Sequence, residues 1–73
     1  MMREVKCAFE ATLRASRSFA EDLEPTRALG MCCRLDTLEA SFLNAYILAD
    51  LSEMCRVAKQ MGLVSSEMLP KHN

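Results

Sequence analysis

The chain has 73 residues and a net charge of −1, and 51% of its residues are hydrophobic. That length allows one domain, 1–73, and a domain so small has little interior in which to hide that much apolar surface. The mixed charges, with no Lys/Arg run, argue against an affinity that rests on phosphates. No stretch approaches the about 18 uninterrupted apolar residues of a membrane span.

The first stretch, MMREVKCAFEATLRAS, has charges inside its apolar pattern and no hydrophobic h-region, so it does not read as a secretory signal. The expected location is cytoplasmic. Residues 3–23 read as a helix, with Val5, Phe9, Thr12/Leu13, Ser16, Phe19 and Leu23 at 3.6-residue spacing. Arg3, Lys6, Glu10, Arg14, Arg17 and Glu21 occupy the other side. Ala8, Ala11, Ala15 and Ala20 add propensity and keep the helix slim.

The break comes at Glu24–Pro25. Proline disfavours helical backbone in the residue before it but suits the first position of a new helix. Residues 25–35 are expected to form a short helix or turn, weakened at Gly30. The competing reading is one unbroken helix from Pro25 to Met61.

Residues 36–62 read as the longest helix, a rod of roughly 39 Å at 1.5 Å per residue. Asp36 followed by Glu39 is a capping pattern, and Gly62 is the natural stop, with Arg56 and Lys59 near that end. Two apolar stripes run along it. Leu38, Phe42, Ala45 and Ala49 form one; Leu43, Ile47, Leu51, Met54, Ala58 and Met61 form the other, widened by Leu48, Cys55 and Val57. That arc is wider than the roughly 100° a helix needs when it packs on one side only. The first stripe is expected to face inward. Leu43, Tyr46, Ile47, Leu48, Leu51, Met54 and Met61 are the candidate interface. After Gly62, Leu63 can pack back, Ser65 can cap a single turn stapled by Val64 and Leu69, and Pro70 ends it before the tail Lys71–His72–Asn73.

Little here points to catalysis. His72 is the only histidine and sits in the tail, so neither Cys–His nor Ser–His–Asp chemistry has a supported base. Asp50 and Glu53 stand three apart but neighbour Arg56 and Lys59, which reads as a salt-bridged solvated face. There is no Gly-rich phosphate loop. The four cysteines, Cys7, Cys32, Cys33 and Cys55, lack a C-x-x-C and read as small packing residues. No enzyme, cofactor or metal is expected.

The expected fold is therefore all-α: a small helical hairpin or three-helix bundle with a long C-terminal helix over about 36–62, completed by self-association or a partner. The expected function is a non-enzymatic adaptor, co-chaperone or inhibitor that covers a hydrophobic surface of a partner protein, or of a second copy in a homodimer. The alternative is a helix-turn-helix DNA-binding regulator, but the segment 25–35 offers only Arg27 and Arg34 for reading bases. In outline, a short helical hairpin with an apolar second helix resembles the small co-chaperones of the type III secretion needle subunit. It is also similar to small phage or plasmid proteins that occlude a regulator. The resemblance is one of size and pattern, and it assigns no residue a role.

Overall fold

The computed structural model describes residues 1–68, with side chains to residue 62, and within them the chain is all-α. Three helices follow one another: α1 (Met2–Glu21), α2 (Pro25–Ile47) and α3 (Leu51–Met68). Each packs on both of the others. Among the described residues, no helix is long and apolar enough to cross a membrane.

The core repeats at helical intervals. Helix α1 contributes Phe9, Leu13 and Ala20, α2 contributes Leu35, Phe42 and Ala45, and α3 contributes Met54, Val57 and Met61. Spacings of three, four and seven keep each set on one side of its helix. Phe9 and Phe42 stack face to face, ring centroids 4.0 Å apart, and so join α1 to α2 at the centre. Ser16 lies buried in the same seam of α1. One cross-helix clamp is ionic: Arg17 Nη2 donates to Asp36 Oδ1 at 2.7 Å and to Glu39 Oε1 at 2.8 Å.

The first turn follows from local chemistry. Helix α1 ends at Glu21, and Pro25 opens α2 while Glu24 Oε1 accepts from the Thr26 N–H at 2.8 Å. A proline at that position gives up an N–H that has no intrahelical partner anyway.

From Pro25 onward the path departs from expectation in several respects. Residues 25–35 are not a separate helix, because α2 continues through Asp36 to Ile47. Gly30 lies inside that helix, where its lower propensity is outweighed by packing that begins at Met31 and Leu35. Asp36 does not cap a helix; it is an interior α2 residue occupied by the Arg17 clamp. Gly62 is not a stop, for α3 passes through it to Met68, so no separate turn begins at Ser65.

The largest correction concerns the long helix over 36–62. It breaks at residues 48–50, and α3 doubles back onto α1 and α2. The turn is a Schellman closure: the Ala49 N–H donates to Tyr46 O at 3.1 Å and the Asp50 N–H to Ala45 O at 2.9 Å. Ala49 takes the left-handed position with φ 54°. Asp50 then caps α3, its Oδ1 accepting from the Glu53 N–H at 3.0 Å. The break buries Met54, Val57 and Met61, which a straight rod would leave uncovered. At roughly 1.5–3 kcal/mol for each large apolar side chain, that burial outweighs the about 1–2 kcal/mol cost of a left-handed alanine. Expectations for Leu69–Asn73, including the tail with His72, lie outside the described residues.

Candidate functional site

The break at 48–50 sorts the seven expected interface residues into three groups. Leu43, Ile47 and Leu48 are exposed, with 41%, 78% and 68% of their surface open to solvent. Tyr46 and Leu51 are half-buried at the margin. Met54 and Met61 are buried at 0% and 1%, so they cannot belong to an outward surface. Their stripe faces inward because α3 has turned back and presents it to Phe9 and Phe42. Of the stripe expected inward, Phe42 and Ala45 are buried and Leu38 is half-buried, whereas Ala49 is exposed in the turn.

What remains is an apolar surface at the C-terminal end of α2. Ile47 and Leu43 are one turn apart on the helix, and Leu48 follows as its C-cap. Among the described residues, the other large exposed apolar ones, Met1 and Leu29, stand elsewhere in the chain. Tyr46, next to Ile47 in sequence, has a cation over its ring. Lys6 Nζ sits 5.3 Å from the centroid of the Tyr46 ring and pairs with Glu10 Oε2 at 3.2 Å. On α3, Arg56 Nε donates to Glu53 Oε2 at 2.9 Å, and Arg56 Nη2 also pairs with Glu53. The bond from Arg56 holds the Glu53 carboxyl below its ordinary pKa. Asp50 and Glu53, the carboxylates three apart, are thus a helix cap and an ion-pair partner, and both are engaged on their own helix.

A second feature is an apolar groove between α1 and α3, lined among others by Val5, Ala8, Thr12, Cys55, Ala58 and Gly62. The Thr12 hydroxyl is turned to Ala8 O at 3.0 Å and so offers the groove no free donor. Cys7, Cys33 and Cys55 are exposed and Cys32 is half-buried, so the packing role expected of the cysteines fits only Cys32. Among the described residues, no three of His, Cys, Asp and Glu gather as metal ligands would. Arg27 and Arg34, the only basic pair in the segment weighed for reading DNA, flank a shallow hollow with Gly30 and Met31 on α2.

The turn chemistry was the signal that sequence reasoning missed. Asp50-Leu51-Ser52-Glu53 is as good a capping box as Asp36-Thr37-Leu38-Glu39, and only the later one caps a helix. Comparison of the chain with protein-family models, with curated proteins and with solved structures finds no match.

Proposed function

We propose that this chain is a non-enzymatic helical interaction module, an adaptor, co-chaperone or inhibitor that covers an apolar surface of a partner protein. One observation carries the reading: Leu43, Ile47 and Leu48 expose large apolar side chains within six residues at one end of α2. A chain of this size with apolar residues to spare gains by burying them in a partner. Tyr46 at the margin supplies an amphipathic ring of the kind enriched at interfaces. The half-buried Leu51 opens α3 three residues after Leu48.

The test uses Ile47→Glu and Leu48→Glu, which place a charge in the patch without touching the core. Each is expected to abolish capture of the partner from extracts of the native host, while the far-UV spectrum stays helical. Leu29→Glu, on α2 but 14 residues from Leu43, serves as the control and should bind as the parent does. Undiminished capture by both patch variants would place the contact elsewhere on the molecule. Salt-sensitive binding to random DNA would instead favour a nucleic-acid role.

A further inference from the structure

The turn between α2 and α3 stops a helix without any residue that stops helices. The sequence from Tyr46 to Leu51, YILADL, contains neither Gly nor Pro. A Schellman closure normally places Gly at the left-handed position, and here that position is Ala49 with φ 54°. An L-residue with a Cβ is strained there, whereas alanine is the best helix former of all. Backbone preference at 48–49 is thus for a continuing helix, with the Asp50 cap alone favouring a break, and the closed turn exists because α3 must cover the core. What α3 brings to that core, Met54, Val57 and Met61, is almost fully buried against α1 and α2.

A second copy of the chain can supply that same cover. We propose that residues 48–50 form a hinge at which two copies exchange α3, so that α2 and α3 of each chain join into one continuous helix. Every core contact of the closed form is then remade with α3 of the other copy, and the left-handed strain at Ala49 is released in both chains. Short hinges under strain favour exchange of this kind. The two straightened hinges meet at the twofold axis of the exchanged dimer. Ile47 and Leu48, exposed at 78% and 68% in the closed form, are the residues next to that axis. Asp50 opposes the exchange: its cap on the Glu53 N–H exists only while α3 starts as a separate helix. An exchanged dimer would stand whether or not the end of α2 also takes another protein.

Two substitutions at neighbouring positions move the equilibrium in opposite directions. Ala49→Gly relieves the closed turn and weakens the continuous helix, by about thirtyfold per chain and about a thousandfold in dimer dissociation constant. Asp50→Ala removes the cap and favours the continuous helix, tightening the dimer by about thirtyfold. The chains are unfolded and refolded at about 1 mM, where association competes best with closure, and their masses are followed by light scattering on dilution. Spin labels on the native Cys33 and Cys55, with Cys7 and Cys32 replaced by Ser, report the geometry within one chain once diluted into unlabelled protein. One continuous helix sets these two positions about 33 Å apart, since 22 residues rise 1.5 Å each. The folded-back form holds them closer. A dimer with the long separation, weakened by Ala49→Gly and tightened by Asp50→Ala, is the expected result. Monomers throughout, Asp50→Ala included, would overturn the exchange. So would a dimer that keeps the short separation and ignores both substitutions. Partner capture by monomeric Ala49→Gly, which retains the Ile47/Leu48 patch, tests the interaction reading separately.

Discussion

Asp36 and Asp50 show how far one side chain's role depends on what lies across from it. Both precede a glutamate by three residues, and both satisfy the pattern of a helix cap. Asp36 is held by Arg17 from α1, together with Glu39, and the hydrogen bonds Arg17 donates to Glu39 and then to Asp36 raise its guanidinium pKa above the ordinary value. Among the described residues, Asp50 has no basic partner of that kind and accepts from the Glu53 backbone instead. The two should therefore respond differently to truncation. Asp50→Ala is expected to cost about 1 kcal/mol in urea unfolding at low micromolar protein, the usual worth of an N-cap. Asp36→Ala should cost at most about 0.5 kcal/mol, because an exposed ion pair is weak and alanine is the better helix former. Only the Asp36 effect should shrink in high salt. Equal losses at the two sites would contradict the assignment of cap and clamp.

At the scale of the element, each helix was legible in its periodicity and less so in its ends. Spacing places Phe9, Leu13 and Ser16 correctly on the inner side of α1 but extends the stripe through Phe19 to Leu23, whereas Ala20, read as one of the slim alanines, is the buried residue and the helix ends at Glu21. Pro25 marks the start of α2 by the chemistry of its ring. The glycines misled. Gly62 looked like a stop and Gly30 like a weak point, yet both sit in right-handed helical backbone with no positive φ. An added Cβ at either position meets nothing within 4 Å. Gly30→Ala and Gly62→Ala should each therefore stabilise the protein by about 0.5–1 kcal/mol, by lowering the entropy of the unfolded chain and improving helix propensity. The gains should add in the double variant, because the sites share no partner. Thermal melts of the three variants check this. A loss at Gly62 would mean that helix α3 needs a glycine where it passes between Met61 and Leu63.

On the scale of the whole molecule, three helices that each touch the other two should melt as one. Phe42 is the test of that unity, since it is fully buried on α2, stacks on Phe9 of α1 and lies in one cluster with Met54, Val57 and Met61 of α3. Phe42→Ala should cost about 3–5 kcal/mol, which equals or exceeds the few kcal/mol that a domain of this size can hold. The expected outcome at 25 °C is loss of helical circular dichroism from the whole chain. Leu43→Ala, one residue on and outward-facing, should stay within about 1 kcal/mol of the parent. Survival of part of the helical signal in Phe42→Ala would show that one helix stands by itself. The candidate surface belongs to this scale too. Leu43, Ile47 and Leu48 could be picked from the sequence as apolar excess, but Met54 and Met61 could not be separated from them until α3 was seen to fold back.

The sequence by itself determined that the chain is helical and that its first turn lies at Glu24–Pro25. It also determined that more apolar residues are present than one helix face can use. These follow from nearest-neighbour physics: side-chain period, ring closure in proline, and backbone propensity. Only the tertiary structure decided where the second helix ends. The one local cue at Leu48–Ala49–Asp50 is the Asp50 cap, which by pattern alone is no better than the Asp36 one that caps nothing, and alanine there resists the left-handed turn it adopts. What chooses between the two capping patterns is a demand from a distance, the burial of Met54, Val57 and Met61 against Phe9 and Phe42, and a contact between residues so far apart in the chain cannot be read at the place where the chain bends.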